Sequence, residues 1–115
     1  MNKTKKFAPI HPGIMLKEDL LLERNISQTQ LANDINLSLT QIREVCSGKK
    51  PITPELSLRL GLYFGMSPNF WLNLQNDYEQ ECLEDILENQ EAQIKKEITP
   101  LIIHKNSNGR IRKHA

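Results

Sequence analysis

An all-α fold of five helices, the last drawn out into a C-terminal extension and tail, is predicted by three features of this sequence. Apolar residues recur at spacings of three and four along most of it, the mark of helices with one buried face. Helix-capping residues stand at Ser27, Ser38, Thr53 and Ser67, followed by Gln30 and Gln41 at capping-box distance or by Pro54 and Pro68 at a first helical position. The stretch Ser27 to Gly48, SQTQLANDINLSLTQIREVCSG, then fits two short helices joined by a tight turn. At 115 residues the chain makes one compact domain with a tail.

Residues 1–9 are polar and basic without periodicity and are expected to form a flexible arm. Residues 10–78 are expected to hold a helix-turn-helix domain, and 79–115 a helical extension and basic tail. Helix one opens at His11-Pro12-Gly13, where His11 is placed to cap it, and is expected to run to about Arg24 with Ile14, Met15, Leu16, Leu20 and Leu21 buried. Helices two and three follow Ser27 and Ser38, each start predicted as a capping box. Leu31, Ile35, Leu37, Ile42 and Val45 are the positions that lock these two together, and Ala32 lies where a larger side chain would hold them apart. The turn between them needs a positive φ, which Asn36 tolerates next best to glycine. Gly48 can take the left-handed conformation that ends helix three, and Pro51 prevents its continuation.

Helix four starts at Thr53-Pro54-Glu55, and Leu56, Leu58, Leu60, Leu62 and Phe64 make it apolar on most sides, so it is expected at the centre. Gly65 ends it, and Ser67-Pro68 is expected to start helix five in the same way. Along that helix Phe70, Trp71, Leu74, Tyr78, Cys82 and Ile86 form an apolar stripe, joined by Leu83 and Leu87, with acidic residues largely off it. The portion beyond Tyr78 outruns a four-helix core. Tyr78, Cys82, Leu83, Ile86 and Leu87 are therefore expected to form a homodimer interface, the alternative being that the C-terminal segment folds back on its own subunit. Leu101-Ile102-Ile103 has strand-like composition, and Asn106 to Ala115 is expected to be disordered and basic.

Charge and composition exclude several classes. The formal charge is only +1, yet residues 1–66 hold nine Lys/Arg against six Asp/Glu, 67–100 two against eight, and 101–115 four against none. No apolar run approaches the about 18 residues that span a bilayer, and none of signal-peptide length follows Lys3, Lys5 and Lys6, so a cytoplasmic protein without membrane contact is expected. Cys46 and Cys82 stand far apart beside apolar residues, which suits core packing and suggests neither a disulfide nor a metal site. His11, His104 and His114 have no triad or ligand partner at informative spacing. Neither catalysis nor a cofactor is expected.

With Ile42 and Val45 turned inward, helical geometry turns Leu39, Thr40, Arg43 and Glu44 outward, where a helix enters the major groove of double-stranded DNA. Thr40 can bond a base edge or touch a thymine methyl, and Leu39 can make only apolar contact. Arg43 can grip a phosphate or guanine, and Glu44 a cytosine amino group or Arg43 itself. Gln28, Ser38, Gln41, Lys49 and Lys50 border the backbone as phosphate anchors, the blander alternative for the two lysines being mere solvation.

The segments His11-Pro12-Gly13-Ile14-Met15-Leu16, the two-helix stretch through Gly48-Lys49-Lys50-Pro51-Ile52-Thr53, and Ser67-Pro68-Asn69-Phe70-Trp71-Leu72-Asn73-Leu74-Gln75-Asn76-Asp77-Tyr78 resemble the HigA antitoxins, a branch of the Xre/Cro repressors. The resemblance spans about residues 9–80. It implies a lambda-repressor-like domain, a homodimer that represses its own operon at operator DNA, and a partner that it neutralises: a HigB-like toxin, a small basic RelE-like ribonuclease that cuts translated mRNA. Asn36, Leu39 and the extension after about residue 98 depart from the family pattern. A stand-alone Xre-family regulator shares every DNA-binding feature, and an adaptor that has lost DNA binding is the third alternative.

Overall fold

The computed structural model describes residues 7–105 and 111–113, with side chains as far as residue 102. The chain runs through α1 (Pro12–Met15), a π-helical turn π1 (Leu16–Leu21), α2 (Gln28–Asp34), α3 (Leu39–Cys46), α4 (Pro54–Phe64), α5 (Phe70–Asn89) and α6 (Glu91–Glu97), then a two-stranded ribbon of β1 (Ile103–Lys105) and β2 (Ile111–Lys113). Its contacts divide it into one unit ending at Leu83 and another from Glu84 on. Most of the expected arm and tail lies outside the described residues.

The starts of α2, α3 and α4 are made locally. Ser27, Ser38 and Thr53 are extended and accept the N–H of Gln30, Gln41 and Leu56, satisfying donors that a helix start leaves unpaired. At Ser38 the box closes, with Gln41 Oε1 accepting the Ser38 N–H at 3.1 Å. At Ser27 it does not: the Gln30 side chain is drawn instead to the Tyr63 hydroxyl. His11 caps α1 as expected, its Nδ1 accepting the Gly13 N–H at 2.9 Å. Asn36 takes φ 59° in the turn between α2 and α3.

Helix one departs from its expected course. After Met15 the hydrogen bonds lengthen to five residues, as in Leu22 N–H to Lys17 O at 3.1 Å, a register in which Leu16 and Leu21 are both fully buried. The regular helix stops at Leu21 rather than near Arg24, and Asn25, at φ 56°, turns the chain toward α2. Ile14, Met15 and Leu20 are half-buried rather than core.

Leu16, Leu31, Ile42, Ile52, Leu60 and Trp71 centre a core that includes Ala32, Ile35, Val45, Cys46 and Leu56. Leu37 packs on it half-buried. Gly13 is the close approach of α1 to α3: a Cβ there would collide with the Val45 carbonyl. The expected all-round burial of α4 is corrected, because Leu58 and Leu62 are 45% and 76% exposed on its outer side. The other α4 residues on that side serve α2: Arg59 donates to the Ile35 carbonyl at 2.8 Å while pairing with Glu55, and Tyr63 donates to Asp34 at 2.6 Å.

Ser67 and Pro68 make a turn before α5 instead of its cap and first residue, the Ser67 carbonyl accepting the Phe70 N–H at 3.1 Å. Phe70 is then largely exposed beside buried Trp71, so it leaves the expected stripe. Ser57, fully buried, joins α4 to this corner by donating to the Pro68 carbonyl at 2.6 Å and accepting the Leu72 N–H at 3.0 Å.

In the second unit α5 breaks at Gln90, where Asn89 donates its side-chain amide to the Asp85 carbonyl at 2.9 Å and competes with the helical ladder. The helix α6 is an addition to the five expected. Residues 111–113 were expected to be disordered but form β2, paired antiparallel to β1 with Ile103 opposite Lys113. Of the strand-like run only Ile103 lies in a strand; Leu101 and Ile102 precede it, exposed.

Candidate nucleic-acid interface

The candidate surface is built on α3, whose one side is sealed and whose other is open. Ile42, Val45 and Cys46 are buried while Thr40, Gln41 and Arg43 are exposed, so a three-residue polar ridge stands on a helix fixed by its own core face. Cys46 lies deep enough that burial pushes its thiol up to about 11. Leu39 is corrected: it is half-buried and packed against the core, so only part of its side chain remains for a base. Glu44 is half-buried, and no ion pair joins it to Arg43 among the described residues, as expected for neighbours that point apart on a helix.

The end of α3 is shaped by its carbonyls. Glu44 O accepts the N–H groups of Lys49 and Lys50 at 2.9 and 3.2 Å and the Ser47 hydroxyl at 3.1 Å. Gly48 makes this return possible at φ 80°, a conformation that L side chains adopt poorly. Both lysines emerge exposed. A cleft of about 340 Å³ opens between α3 and the start of α4, bordered by Gln41, Glu44, Lys50 and Glu55. Gln28 and Ser38 open α2 and α3, Gln28 half-buried and Ser38 exposed. The fold thus gathers Ser38, Thr40, Gln41, Arg43, Lys49 and Lys50 about one helix and its following loop.

Behind the loop lie groups that sequence reading passed over. Gln75 of α5, almost fully buried, accepts the Ile52 N–H on Oε1 at 2.9 Å and donates from Nε2 to Glu79 at 3.0 Å. No local spacing marks it, since its partner is 23 residues away. His11 is buried edge-on against Tyr78 with ring centroids 5.1 Å apart. Burial holds its pKa below the usual 6.5, against opposing contributions from a hydrogen bond to the Lys50 backbone and from Glu79. Tyr78 is half-buried, and a hydrogen bond with Cys82 raises its pKa. Further along α5, Leu83, Ile86 and Leu87 are exposed.

A family profile described as helix-turn-helix matches residues 16–71. The antitoxin HigA of Pseudomonas aeruginosa, solved with the higBA promoter, superposes with a TM-score of 0.65 at 35% identity, over 82% of this chain and 99% of that one. An addiction module antidote protein of the HigA family from Coxiella burnetii does so with a TM-score of 0.65 at 36% identity, over 82% and 99%. The chain belongs to the HigA family of helix-turn-helix proteins. That family comprises DNA-binding antitoxins and transcription regulators and is not a class of enzymes. An uncharacterized transcriptional regulator of the same helix-turn-helix type, YddM of Escherichia coli, is 35% identical over 65 residues, 56% of this chain and 68% of the regulator. Among the described residues no helix of this HigA relative is long and apolar enough to cross a membrane.

Proposed function

We propose that this chain is the antitoxin of a type II toxin–antitoxin module, a cytoplasmic repressor that binds its own operator and neutralises a HigB/RelE-like mRNA-cleaving toxin. The observation that carries the reading is the exposed ridge of Thr40, Gln41 and Arg43 on a helix buried along its opposite side, in a chain 35% identical to a HigA solved with promoter DNA. Residues 10–78 serve as the DNA-binding domain and 79–115 as the extension. Thr40 and Arg43 reach base edges or phosphates, and Leu39 and Glu44 border them. Gln28, Ser38, Gln41, Lys49 and Lys50 meet the backbone, which positions a protein without specifying sequence.

One such domain makes few phosphate contacts, so specificity comes from a homodimer reading two half-sites roughly 34–36 Å apart. Tyr78, Cys82, Leu83, Ile86 and Leu87 supply that dimer surface. The toxin docks with help from the acidic segment, where eight Asp/Glu face two Lys/Arg over residues 67–100, so its association slows in high salt. Co-expression with the product of the adjacent gene tests the reading: a basic partner that co-purifies and loses its ribonuclease activity supports it. The second reading, a stand-alone regulator, is favoured by the likeness to YddM. It prevails if the purified chain shifts its own upstream DNA and no neighbouring product binds.

A further inference from the structure

The loop that carries Lys49 and Lys50 is fastened at both ends. Its first residues hang from the Glu44 carbonyl of α3, and its last is held by Gln75, 4% exposed on α5, through the Ile52 N–H. Pro51 between them offers no N–H, so the Ile52 bond is the anchor on the far side. Gln75 is itself fixed by Glu79, which also acts on His11, the residue that bonds the Lys50 backbone. An apolar side chain would fill the same core position but leave the Ile52 N–H buried and unpaired. The Glu44 carbonyl and His11 thus hold the backbone of two exposed lysines directly, and Gln75 holds the residue that ends their loop.

We infer that Gln75 is a positioning residue for operator binding: it sets where Lys49 and Lys50 stand against the DNA backbone and touches no DNA itself. The inference rests on the reading of α3 as the DNA helix. It makes α5, the helix that exposes Leu83, Ile86 and Leu87 further along, the support of the phosphate-contacting loop as well.

The test measures operator affinity against salt concentration for the full chain, for Gln75→Met, for the pair Lys49→Ala and Lys50→Ala, and for all three changes together, with thermal unfolding recorded alongside. Gln75→Met is expected to weaken binding about tenfold and to make the slope of log K against log salt shallower by about one to two, because displaced lysines release fewer counterions. The lysine pair gives the same shallower slope, and adding Gln75→Met to it causes no further loss. Losses that add, an unchanged slope for Gln75→Met, or a lysine pair that binds like the unaltered chain each overturn the inference. If Gln75→Met does not fold, Gln75→Asn keeps a buried amide while falling short of Ile52, and the same cycle decides. Arg43→Ala separates the two levels. Unchanged affinity there removes α3 as the DNA helix and this inference with it, whereas weakened binding beside an unaffected Gln75→Met removes the positioning role alone.

Discussion

Up to Leu83 the chain seals a core of its own; from Glu84 on none of the residues whose side chains are described is buried. Leu60 and Ile42 are sealed in the first unit, whereas Leu87 is 48% and Ile98 59% exposed in the second. Single exposed apolar residues are ordinary on protein surfaces. A succession of them, Ile86, Leu87, Ile94 and Ile98, on segments with abundant acidic residues is not. The lesson is a separation of tasks: the first unit holds the core and the α3 ridge, and the second, among its described residues, has no core of its own.

The contrast breaks first on stability. Leu60→Ala should lower unfolding free energy by ~3 kcal/mol, as a cavity in a sealed core does, while Leu87→Ala should change the protomer by less than about 0.5 kcal/mol. Chemical denaturation of both variants checks the pair, and equal losses would abolish the distinction. Next in size is Gly13→Ala, whose methyl meets the backbone of Val45. Since neither helix can yield by a rotamer change, a cost of about 2 kcal/mol is expected, together with weaker operator binding as α3 shifts; thermal melts and mobility shifts read both.

Substitutions on the ridge should sharpen the contrast from the other side. Arg43→Ala and Thr40→Ala are expected to leave the melting temperature unchanged while each weakens operator binding about tenfold, the lower range for a lost DNA contact. Wild-type affinity in an anisotropy titration for both would remove α3 from the interface. The smallest effect concerns acid. Because burial lowers the His11 pKa below 6.5, the unfolded chain takes up a proton there before the folded one does. This stabilisation is complete above pH 6.5 and is lost as pH falls through the lower folded value. His11→Asn, which can keep an acceptor near the Gly13 N–H, should flatten that part of the pH profile, and a difference in melting temperature constant with pH would refute it.

What sequence made legible follows the range of the interactions. Ser38 with Gln41, Asn36 at the turn and His11 at its cap all act within three residues, and each stands where the pattern predicts. The buried side of α3 was equally readable, because Ile42 and Val45 repeat with the helix. Gln30, by contrast, abandons its box for Tyr63, a partner on another helix that no local spacing announces. Ser57, Arg59 and Gln75 likewise bond residues 11 to 24 positions away, and π1 exists because Leu16 and Leu21 must share a core assembled by other helices. Leu62 looked central by composition, yet it stands 76% exposed beside Arg59 and Tyr63, whose polar ends reach Ile35 and Asp34.

The closed box at Ser38 has a further consequence for what α3 can discriminate. Gln41 Oε1 is occupied by both the Ser38 N–H and the Ser38 hydroxyl, each at 3.1 Å, which leaves only the amide hydrogens of that side chain unclaimed. Pairing with adenine along its N6 and N7 edge demands an oxygen as well as a hydrogen from one amide. While the cap holds, this glutamine is a pure donor, a state that suits the sugar–phosphate oxygens proposed as its partners and not the edge of adenine.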